Sequence, residues 1–538
     1  MTRHGPTALR PILWGVPLLI IAGCEVGPDY TPPKVTMPRD WGEQGPEATT
    51  RPSPATRPSR VVSQATPIVE WWTTFHDPTL DELVRRAVDE NPDLRAAEAR
   101  VREARAQRGV VRADLYPGLN AAGSYEHARA STNGIASAFG PGGGAAVNAG
   151  CGQPPPGAGG SPAVPGAALS EFNLYQAGFD ASWEIDLFGG RRRAAEAASN
   201  DIEAAVEDRR DVLTTLLGEV ARNYLELREA QHRLAIARKN LDAQRKSVDL
   251  TRERVNRGLT NELDLSRAQA QVATTTAQIP GLETAASRAI HRLGVLMGRR
   301  PTALAAELTN EAPPPAVPDR VPVGLPSELL RRRADVRRAE RRIAAATARV
   351  GVAAADLFPK FTLNGSVGLQ ALEPGDLAEW ASRYYSLGPG LTWPVFDAGR
   401  VRNRVHVQEA RVDQAVEAYR QAVLAALRDV EDALVAYGKA EERVAALRQA
   451  VAAEEKAVRV ARDLYSRGLA DFLTVLDAQR SLYASEDALA AGEGEVTTSL
   501  VTLYKALGGG WEVEEVRRMT PPAAQVETAS AGVEPRGG

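Results

Sequence analysis

The chain has 538 residues and a formal net charge of −3, which excludes a strong positive field directed at nucleic acid. It is 43% hydrophobic but only 5% aromatic, and Ala, Val and Leu dominate the apolar residues, which favours closely packed helices over a bulky globular core. The two cysteines, Cys24 and Cys151, are too few for a disulfide-rich scaffold.

The first predicted element is an export signal. Two arginines precede a short apolar run at 12–22, which is too short to cross a bilayer as a helix. Ile21-Ala22-Gly23-Cys24 resembles a bacterial lipobox, which implies cleavage before Cys24 and acylation of its thiol. Glu25 follows, where Asp usually marks retention in the inner membrane, so the resemblance implies the outer membrane. An ordinary signal peptide with an incidental cysteine is the alternative.

The mature sequence contains an internal duplication. Residues 91–124 and 333–366 match at 15 of 34 positions when they are aligned at an offset of 242. Farther along, Arg257-Gly258-Leu259 recurs as Arg467-Gly468-Leu469 at an offset of 210. The offset becomes smaller because the first copy carries a long Gly/Ala/Pro stretch, about 129–170, where the second has a short connection. The duplicated block is much longer than the unit of a solenoid.

This duplication and the composition shifts divide the chain. The segments are a lipoprotein signal peptide at 1–23, an extended segment at 24–70, a first repeat at 71–310, a linker at 311–326, a second repeat at 327–511 and a flexible tail at 512–538. Each repeat is predicted to run helix, strand, loop, strand, very long helix, turn and helix. Two Pro-rich stretches, one before the first repeat at about 27–67 and one between the repeats at about 311–326, are expected to be extended or disordered.

Alternation of apolar and polar residues predicts two strands in each repeat. The clearest run is 361–370, and similar runs occupy 119–127, 175–185 and 385–395. Each is about ten residues long, the length of a transmembrane β-strand. The same alternation is typical of a half-buried sheet in a soluble sandwich, so the pattern alone leaves both readings open. The predicted outer-membrane address favours membrane strands.

Four such strands cannot close a barrel. The smallest bacterial outer-membrane barrels have about eight strands, and lipid cannot satisfy the hydrogen bonds of a free sheet edge. The chain is therefore expected to oligomerise. Two copies would give eight strands and three would give twelve, and the residues do not choose between them.

Two very long helices are predicted, one in each repeat. Pro is absent from 191–256 and from 400–466, and at about 1.5 Å per residue each stretch would form a helix of roughly 100 Å. Val220, Leu227 and Leu234 belong to a seven-residue apolar repeat that also occurs in the second copy, and this spacing indicates coiled-coil packing. A soluble helical bundle would explain the heptads but not their junction with membrane-length strands.

Several long motifs carry a family resemblance. They are CEVGPDYTPP at 24–33, WWTTFHDPTLDELV at 71–84, WEIDLFGGRRR at 183–193, GLPSELLRRRADVRRAE at 324–340, WPVFDAGR at 393–400 and LYKALGGGW at 503–511. With these motifs the chain resembles the TolC-like outer-membrane factors, in particular the lipoprotein branch of NodT and OprM-type efflux proteins. Ala334 replaces the family's usual Pro before Asp, whereas the first copy keeps Asn91-Pro92-Asp93.

The resemblance implies a fold and a function. The fold is that of an α+β membrane protein with an internal two-fold repeat, in which a trimer forms a 12-stranded outer-membrane β-barrel continued by a long α-helical coiled-coil barrel in the periplasm. The function is a passive exit duct for small toxic compounds. An inner-membrane transporter of RND type would drive it through a periplasmic adaptor protein. Exit of secreted proteins through the same duct, or a non-channel periplasmic scaffold lipoprotein, are the alternatives.

The resemblance also implies where the protein resides and what it carries. The predicted location is the outer membrane, where the protein is anchored by lipid and spans the bilayer, and from which it extends into the periplasm. Diacylglycerol and an N-acyl chain on Cys24 are the only covalent groups expected, and no other cofactor or nucleic-acid partner is implied.

Leu473, Asp477 and Arg480 are the candidate gate residues. Their i, i+4 and i, i+3 spacings allow all three to share one face of a helix. In similar proteins these positions form the resting constriction. The first copy places Asp264 and Arg267 at positions that align with Thr474 and Asp477, so the gate is expected chiefly in the second copy. The alternative is a surface salt bridge that contributes less than about 1 kcal/mol.

The repeated tripeptides Arg257-Gly258-Leu259 and Arg467-Gly468-Leu469 are the candidate docking turns. Gly258 and Gly468 can adopt a positive φ and end each long helix, after which the chain reverses. In similar proteins such turns meet the helical hairpins of the adaptor.

No motif points to catalysis. The six histidines show no metal-ligand spacing, and no G-x-x-x-x-G-K-[ST] loop occurs. The stretch Asn364-Gly365-Ser366-Val367-Gly368 lacks the first glycine of the G-x-S-x-G elbow and lies within a strand pattern. The protein is therefore not expected to be an enzyme.

Overall fold

The architecture is that of a computed structural model of the 538-residue chain. The structure describes residues 25–34, 37–38, 41–42, 60–62, 69–129, 171–318 and 320–512. These residues divide into two compact units. One comprises the described parts of Met1–Tyr30, Arg108–Ala198 and Ala346–Arg411, and the other those of Thr31–Gln107, Ser199–Ala345 and Val412–Gly538.

The elements follow the predicted duplication. The first half contains β1 (Arg60–Val62), α1 (Pro78–Glu90), α2 (Pro92–Ala113), β2 (Gly118–Arg129), β3 (Glu171–Ile185), α3 (Gly190–Asn256), α4 (Glu262–Leu296) and α5 (Ala305–Leu308). The second contains β4 (Arg320–Pro322), α6 (Leu329–Arg332), α7 (Ala334–Ala355), β5 (Lys360–Ala371), β6 (Arg383–Thr392), α8 (Arg400–Ser466) and α9 (Phe472–Ala506). Short 3₁₀ helices occupy Trp71–Phe75, Pro326–Glu328, Pro374–Ala378 and Trp380–Ser382.

The two long helices are confirmed. Both α3 and α8 have 67 residues, which corresponds to about 100 Å each. The heptad positions form buried seams, since Val220 and Leu227 on α3 and Val430 and Tyr437 on α8 are at most 1% exposed. Continuous helix forms here because neither segment contains Pro and the apolar spacing provides a seam for packing.

The four predicted strands form one antiparallel sheet in the order β2-β3-β5-β6. The pairing of β3 with β5 joins the two repeats at the centre of the sheet, and β2 and β6 are its edges. On one face, Phe179, Val367 and Tyr385 are neighbours across three strands, and their exposed fractions are 52%, 55% and 87%. The sheet therefore presents large apolar side chains outward.

The end of the fourth strand differs from the prediction. Alternation placed a strand over 385–395, but β6 ends at Thr392. Pro394 has no N–H to donate to a ladder, and Asp397 begins the next helix by accepting hydrogen bonds from the N–H groups of Gly399 and Val401. The apolar positions Trp393 and Val395 thus lie in the connection before α8.

A second, two-stranded sheet was not predicted. β1, from the segment before the first repeat, pairs in parallel with β4, from the linker between the repeats. In the same unit the buried Trp41 donates from Nε1 to the carbonyl of Gly324 at 3.0 Å. These two stretches, expected to be extended or disordered, are in part ordered against each other.

The core of the larger unit is aromatic and aliphatic. Trp71, Phe75, Leu80, Tyr224 and Tyr504 are all at most 1% exposed, and the Trp71 and Tyr504 rings stack with centroids 5.3 Å apart. Among the described residues, no helix is both long enough and apolar enough to cross a membrane.

Candidate functional site

The two repeated tripeptides occupy matching helix turns. Gly258 has φ +72° and Gly468 has φ +75°, as the sequence predicts. The Leu259 N–H donates to the Arg254 carbonyl at 2.9 Å and the Leu469 N–H donates to the Leu464 carbonyl at 2.9 Å. This is the bond of a Schellman cap, in which a residue beyond the helix closes back on its last turn. In the described part of the chain, no atom lies within 4 Å of a Cβ built on either glycine, so glycine is needed there for its positive φ and not for space.

The helix that follows each turn begins with a side-chain cap. Asn261 Oδ1 accepts from the Asp264 N–H at 3.0 Å, and Asp471 Oδ1 accepts from the Thr474 N–H at 2.9 Å. The hydroxyl of Thr474 also donates to Asp471 at 2.6 Å, and these two hydrogen bonds lower the pKa of the Asp471 carboxyl. Each reversal is therefore fixed on both sides by local hydrogen bonds.

A buried cluster supports the two turns from inside. Its members, which come from all four helices that meet there, are Val248, Leu265, Ala268, Ala461, Tyr465, Phe472, Val475 and Leu476. Arg254 joins the two long helices across this cluster. Its guanidinium lies 4.4 Å from the centroid of the Tyr465 ring and donates to the Tyr465 carbonyl at 3.1 Å.

The candidate gate residues lie on the first turns of α9. Leu473 is 36% exposed, and the Asp477 side chain is 62% exposed. Arg480 lies 3.9 Å from Asp477, at the limit of an ion pair, and makes its short contact elsewhere: Nε donates to Gln271 Oε1 on α4 at 2.6 Å. The structure thus leaves Leu473 and Asp477 open to solvent and connects Arg480 to the other repeat.

Sequence reasoning missed several residues of this region. Gln271 and Gln278 lie one heptad apart on α4 and accept from Arg480 and from the Tyr483 hydroxyl, both at 2.6 Å. No local motif marks such partners, because they are more than 200 residues away in the chain. Leu263 is 54% exposed and aligns with Leu473 at the offset of 210, so the repeat alignment alone could have identified it.

The four-stranded sheet has a polar face opposite its apolar one. Asp180, Ser366 and Ser386 are neighbours across three strands, and the two serine hydroxyls are 2.7 Å apart. Ser366 is 8% exposed whereas the adjacent Val367 is 55% exposed, so the polar face is the more enclosed of the two. A polar, enclosed face and an apolar, open one are the arrangement that suits a barrel wall between water and lipid.

The predicted lipidation residue, Cys24, lies outside the described residues, as do Cys151 and most of the 129–170 stretch. Glu25, the next residue, is described and packs against Gly189, four residues after β3 ends. Within the described residues, no group of His, Cys, Asp and Glu could hold a metal ion.

The fold agrees with what comparison with known proteins shows. The model of the family described as "Outer membrane efflux protein" matches residues 83–299 and 325–509. The chain belongs to this family, and it is an outer-membrane efflux channel protein of the α+β class that extends into the periplasm, not an enzyme.

Individual relatives agree along nearly their whole length. The chain is 34% identical to the pyoverdine export outer membrane protein OpmQ of Pseudomonas putida over 86% of this chain and 92% of that protein. It is 29% identical to nodulation protein T of Rhizobium leguminosarum bv. trifolii, over 92% and 96% of the two chains. The solved structure of the outer-membrane channel OprN is similar with a TM-score of 0.76 and 37% identity, over 91% of this chain and all of that one.

Proposed function

We propose that three copies of this chain close into a twelve-stranded outer-membrane barrel that continues into a periplasmic helical duct. One observation carries the proposal: the sheet exposes large apolar side chains on one face, and within the described residues β2 and β6 have an unpaired edge. Lipid cannot satisfy those backbone groups, so each edge needs another copy. Family resemblance favours three copies over two.

The duct would serve efflux of small toxic compounds. Its energy would come from an inner-membrane transporter, of RND type, and a periplasmic adaptor would connect the two. The membership of the efflux family and the name of the OpmQ relative, which exports pyoverdine, support a small-molecule cargo.

The proposal is tested on protein purified from outer membranes. We expect a heat-sensitive trimer band on gels, ion conductance in planar bilayers, and capture of an adaptor and its pump from crosslinked cells. Deletion of the gene should raise sensitivity to small toxic compounds. A monomer without conductance would overturn the duct, and capture of a protein-secretion exporter in place of an efflux pump would overturn the cargo.

The resting constriction is proposed at Leu473, Asp477 and Arg480. The first two are exposed on the same face of α9, and a symmetric ring of three carboxylates would also favour cations. Asp477→Ala should raise single-channel conductance and admit vancomycin. Asp249→Ala is the matched control, because Asp249 forms an exposed i, i+3 pair with Arg252 on α3. Equal behaviour of the two variants would refute the assignment.

The helix turns are the proposed adaptor-docking surface. Leu259 and Leu469 are 65% and 72% exposed at matching places of the two repeats, so each turn presents one large apolar side chain that a partner could cover. Replacing Gly258 and Gly468 with valine should abolish adaptor binding while the trimer persists. Changing only the two leucines to serine should have the same effect without disturbing the positive φ. Retained binding in both variants would rule out docking at the turns.

Acylation of Cys24 is the remaining proposal. It is supported by the lipobox and by the position of Glu25, which holds the start of the mature chain next to the end of β3, where an acyl chain could enter the bilayer. The intact mass should show diacylglycerol and an N-acyl chain, and Cys24→Ser should remove both. An unmodified N-terminus after residue 24 would indicate an ordinary signal peptide.

A further inference from the structure

The first residues of the mature chain occupy a slot between the two repeats. The Val26 N–H donates to the carbonyl of Phe188 at 3.2 Å, just before α3 begins. The ring of the same Phe188 stacks on Phe358, just beyond the end of α7, with centroids 4.6 Å apart, so the two repeats meet beside this hydrogen bond. We name residues 25–29 the wedge, since they lie between the start of α3 and the last turns of α7.

Glycines make room for the wedge. A Cβ on Gly27, whose φ is +100°, would lie 2.5 Å from the Cα of Gly351. A Cβ on Gly351 would lie 3.0 Å from the carbonyl oxygen of Val26, and one on Gly189 would lie 2.8 Å from Cγ of Glu25. Two backbones therefore touch where a larger residue on either side would separate them.

A buried arginine holds the wedge electrostatically. Arg193 has a side chain only 5% exposed and donates to Asp29 Oδ1 at 2.6 Å and to Glu196 Oε2 at 2.8 Å. Its Nε also lies 3.5 Å from Glu25 Oε1. Two of these three carboxylates belong to the wedge, so removing the wedge would leave a buried cation with fewer partners.

Among the residues that the structure describes, the matching positions of the duplication have no such occupant. Gly109 aligns with Gly351, and no described atom lies within 4 Å of a Cβ built on it. Asn403 stands where Arg193 would be expected at the start of α8. The residues that bind the wedge are thus not reproduced at the aligned positions of the other repeat.

We propose that the wedge couples the N-terminal lipid anchor to the junction between strands and helices. This rests on the proposed acylation of Cys24, which directly precedes the wedge. Because the wedge is seated on both repeats, Glu25 is held at one fixed level beside the end of β3, and acyl chains on the preceding residue would be attached close to that level. The membrane anchor then stabilises the assembled channel through Glu25, Gly27 and Asp29.

Hydrogen exchange on the acylated protein tests the seating. Gly27→Val changes only the wedge and should speed exchange in residues 25–34 by about tenfold or more, while exchange in β3 stays unchanged. Gly351→Ala should act in the same direction from the opposite side. Gly109→Ala is the matched control and should leave the wedge protected. Unchanged exchange in Gly27→Val would overturn the seating.

A double-mutant comparison tests the coupling. We expect Cys24→Ser and Gly27→Val each to lower the temperature at which the assembled channel dissociates, and the double variant to fall no lower than the single ones, because both remove the same link. Additive losses, or no loss in either single variant, would overturn the coupling. Intact mass separates the two failures: a missing acyl group refutes the lipid proposal itself, whereas additive losses with normal acylation refute only the link.

Discussion

The two copies of the repeat use different side chains to donate a hydrogen bond to the carbonyl at the end of a helix. In the first, the Asn91 amide donates to the carbonyl of Leu296, near the end of α4, at 2.8 Å. In the second, the Arg333 guanidinium donates to the carbonyl of Ala506, at the end of α9, at 3.1 Å. These four residues align at the offsets of 242 and 210. Both repeats therefore keep a side-chain donor at the same helix end, although the donor residue differs. A donor is needed there because the end of any helix leaves carbonyls without a partner within the helix.

The long helices of the two copies also differ in what surrounds them. Within the described residues, nine buried polar side chains lie on α3, for example Arg228 and Gln231, and none lies on α8. In contrast, α8 exposes Val407, Leu424 and Val435 by 39% to 67%. Contacts within one chain therefore bury polar side chains of α3 and leave a flank of α8 open, which supports the proposed assembly with further copies.

The largest expected effect is the loss of stability when Arg333, the donor to the helix end in the second repeat, is removed. Arg333→Ala removes a side chain only 12% exposed that also pairs with Asp335 at 2.7 Å and with Asp429 at 3.2 Å. It should lower the free energy of unfolding by about 3–4 kcal/mol, since the part-buried Asp335 carboxylate and the Ala506 carbonyl lose their guanidinium donor. Asn91→Ala should cost about 1–2 kcal/mol. Denaturant unfolding followed by circular dichroism compares the two variants, and equal losses would contradict the distinction.

A smaller effect is the loss of stability at acid pH that depends on Asp335. Burial by itself would raise the pKa of Asp335, but the hydrogen bonds and charge of Arg333 outweigh it, and the pKa is lowered from its usual value of 3.8. A depressed pKa gives stability that is present above pH 4 and is lost as the pH falls through the folded-state pKa. Asp335→Asn should cost about 2 kcal/mol at pH 7 and less as the pH falls below 4. A penalty that does not depend on pH would mean that the charge of Asp335 is unimportant.

The smallest expected effect is the change in stability when a charged side chain is neutralised on one or the other long helix. Glu229 on α3 lies against Gly494, and burial raises the pKa of its carboxyl although Arg233 opposes the shift. A raised pKa makes ionisation costly as the pH rises through it, so Glu229→Gln should be neutral to about 1 kcal/mol stabilising at pH 7–8 and equal to the parent near pH 4. The aligned Lys439 on α8 is 70% exposed, and Lys439→Gln should change stability by less than about 0.5 kcal/mol at either pH. If the change in unfolding free energy had the same dependence on pH in Glu229→Gln and Lys439→Gln, the proposed difference between their surroundings would be wrong.

How much could be predicted depended on how local the cause was. The absence of Pro and the heptads of 191–256 and 400–466 fixed the two long helices almost to the residue, because a helix closes its own hydrogen bonds. The turn glycines were equally predictable, since a positive φ is a property of one residue. The end of the fourth strand was predicted three residues too late, at 395 instead of Thr392, because alternation continues past Pro394 while the hydrogen-bond ladder does not.

The sequence predicted the residues of the candidate site but not their distant partners. The turns, Leu473, Asp477 and Arg480 follow from local spacing and family resemblance, and their roles in gating and docking remain predictions. Gln271, the partner of Arg480, carries no local signal. Neither does the pairing of β1 with β4, which brings together segments some 260 residues apart.

The sequence by itself determined the duplication, the kind of each element and the family, because periodicity, φ preferences and long motifs are written in consecutive residues. Only the tertiary structure decided which side chains meet across the repeats, such as Arg193 with the wedge and Arg333 with α9. Those contacts depend on where distant segments come together in the fold, and many combinations of residue types can satisfy the same buried donor or acceptor.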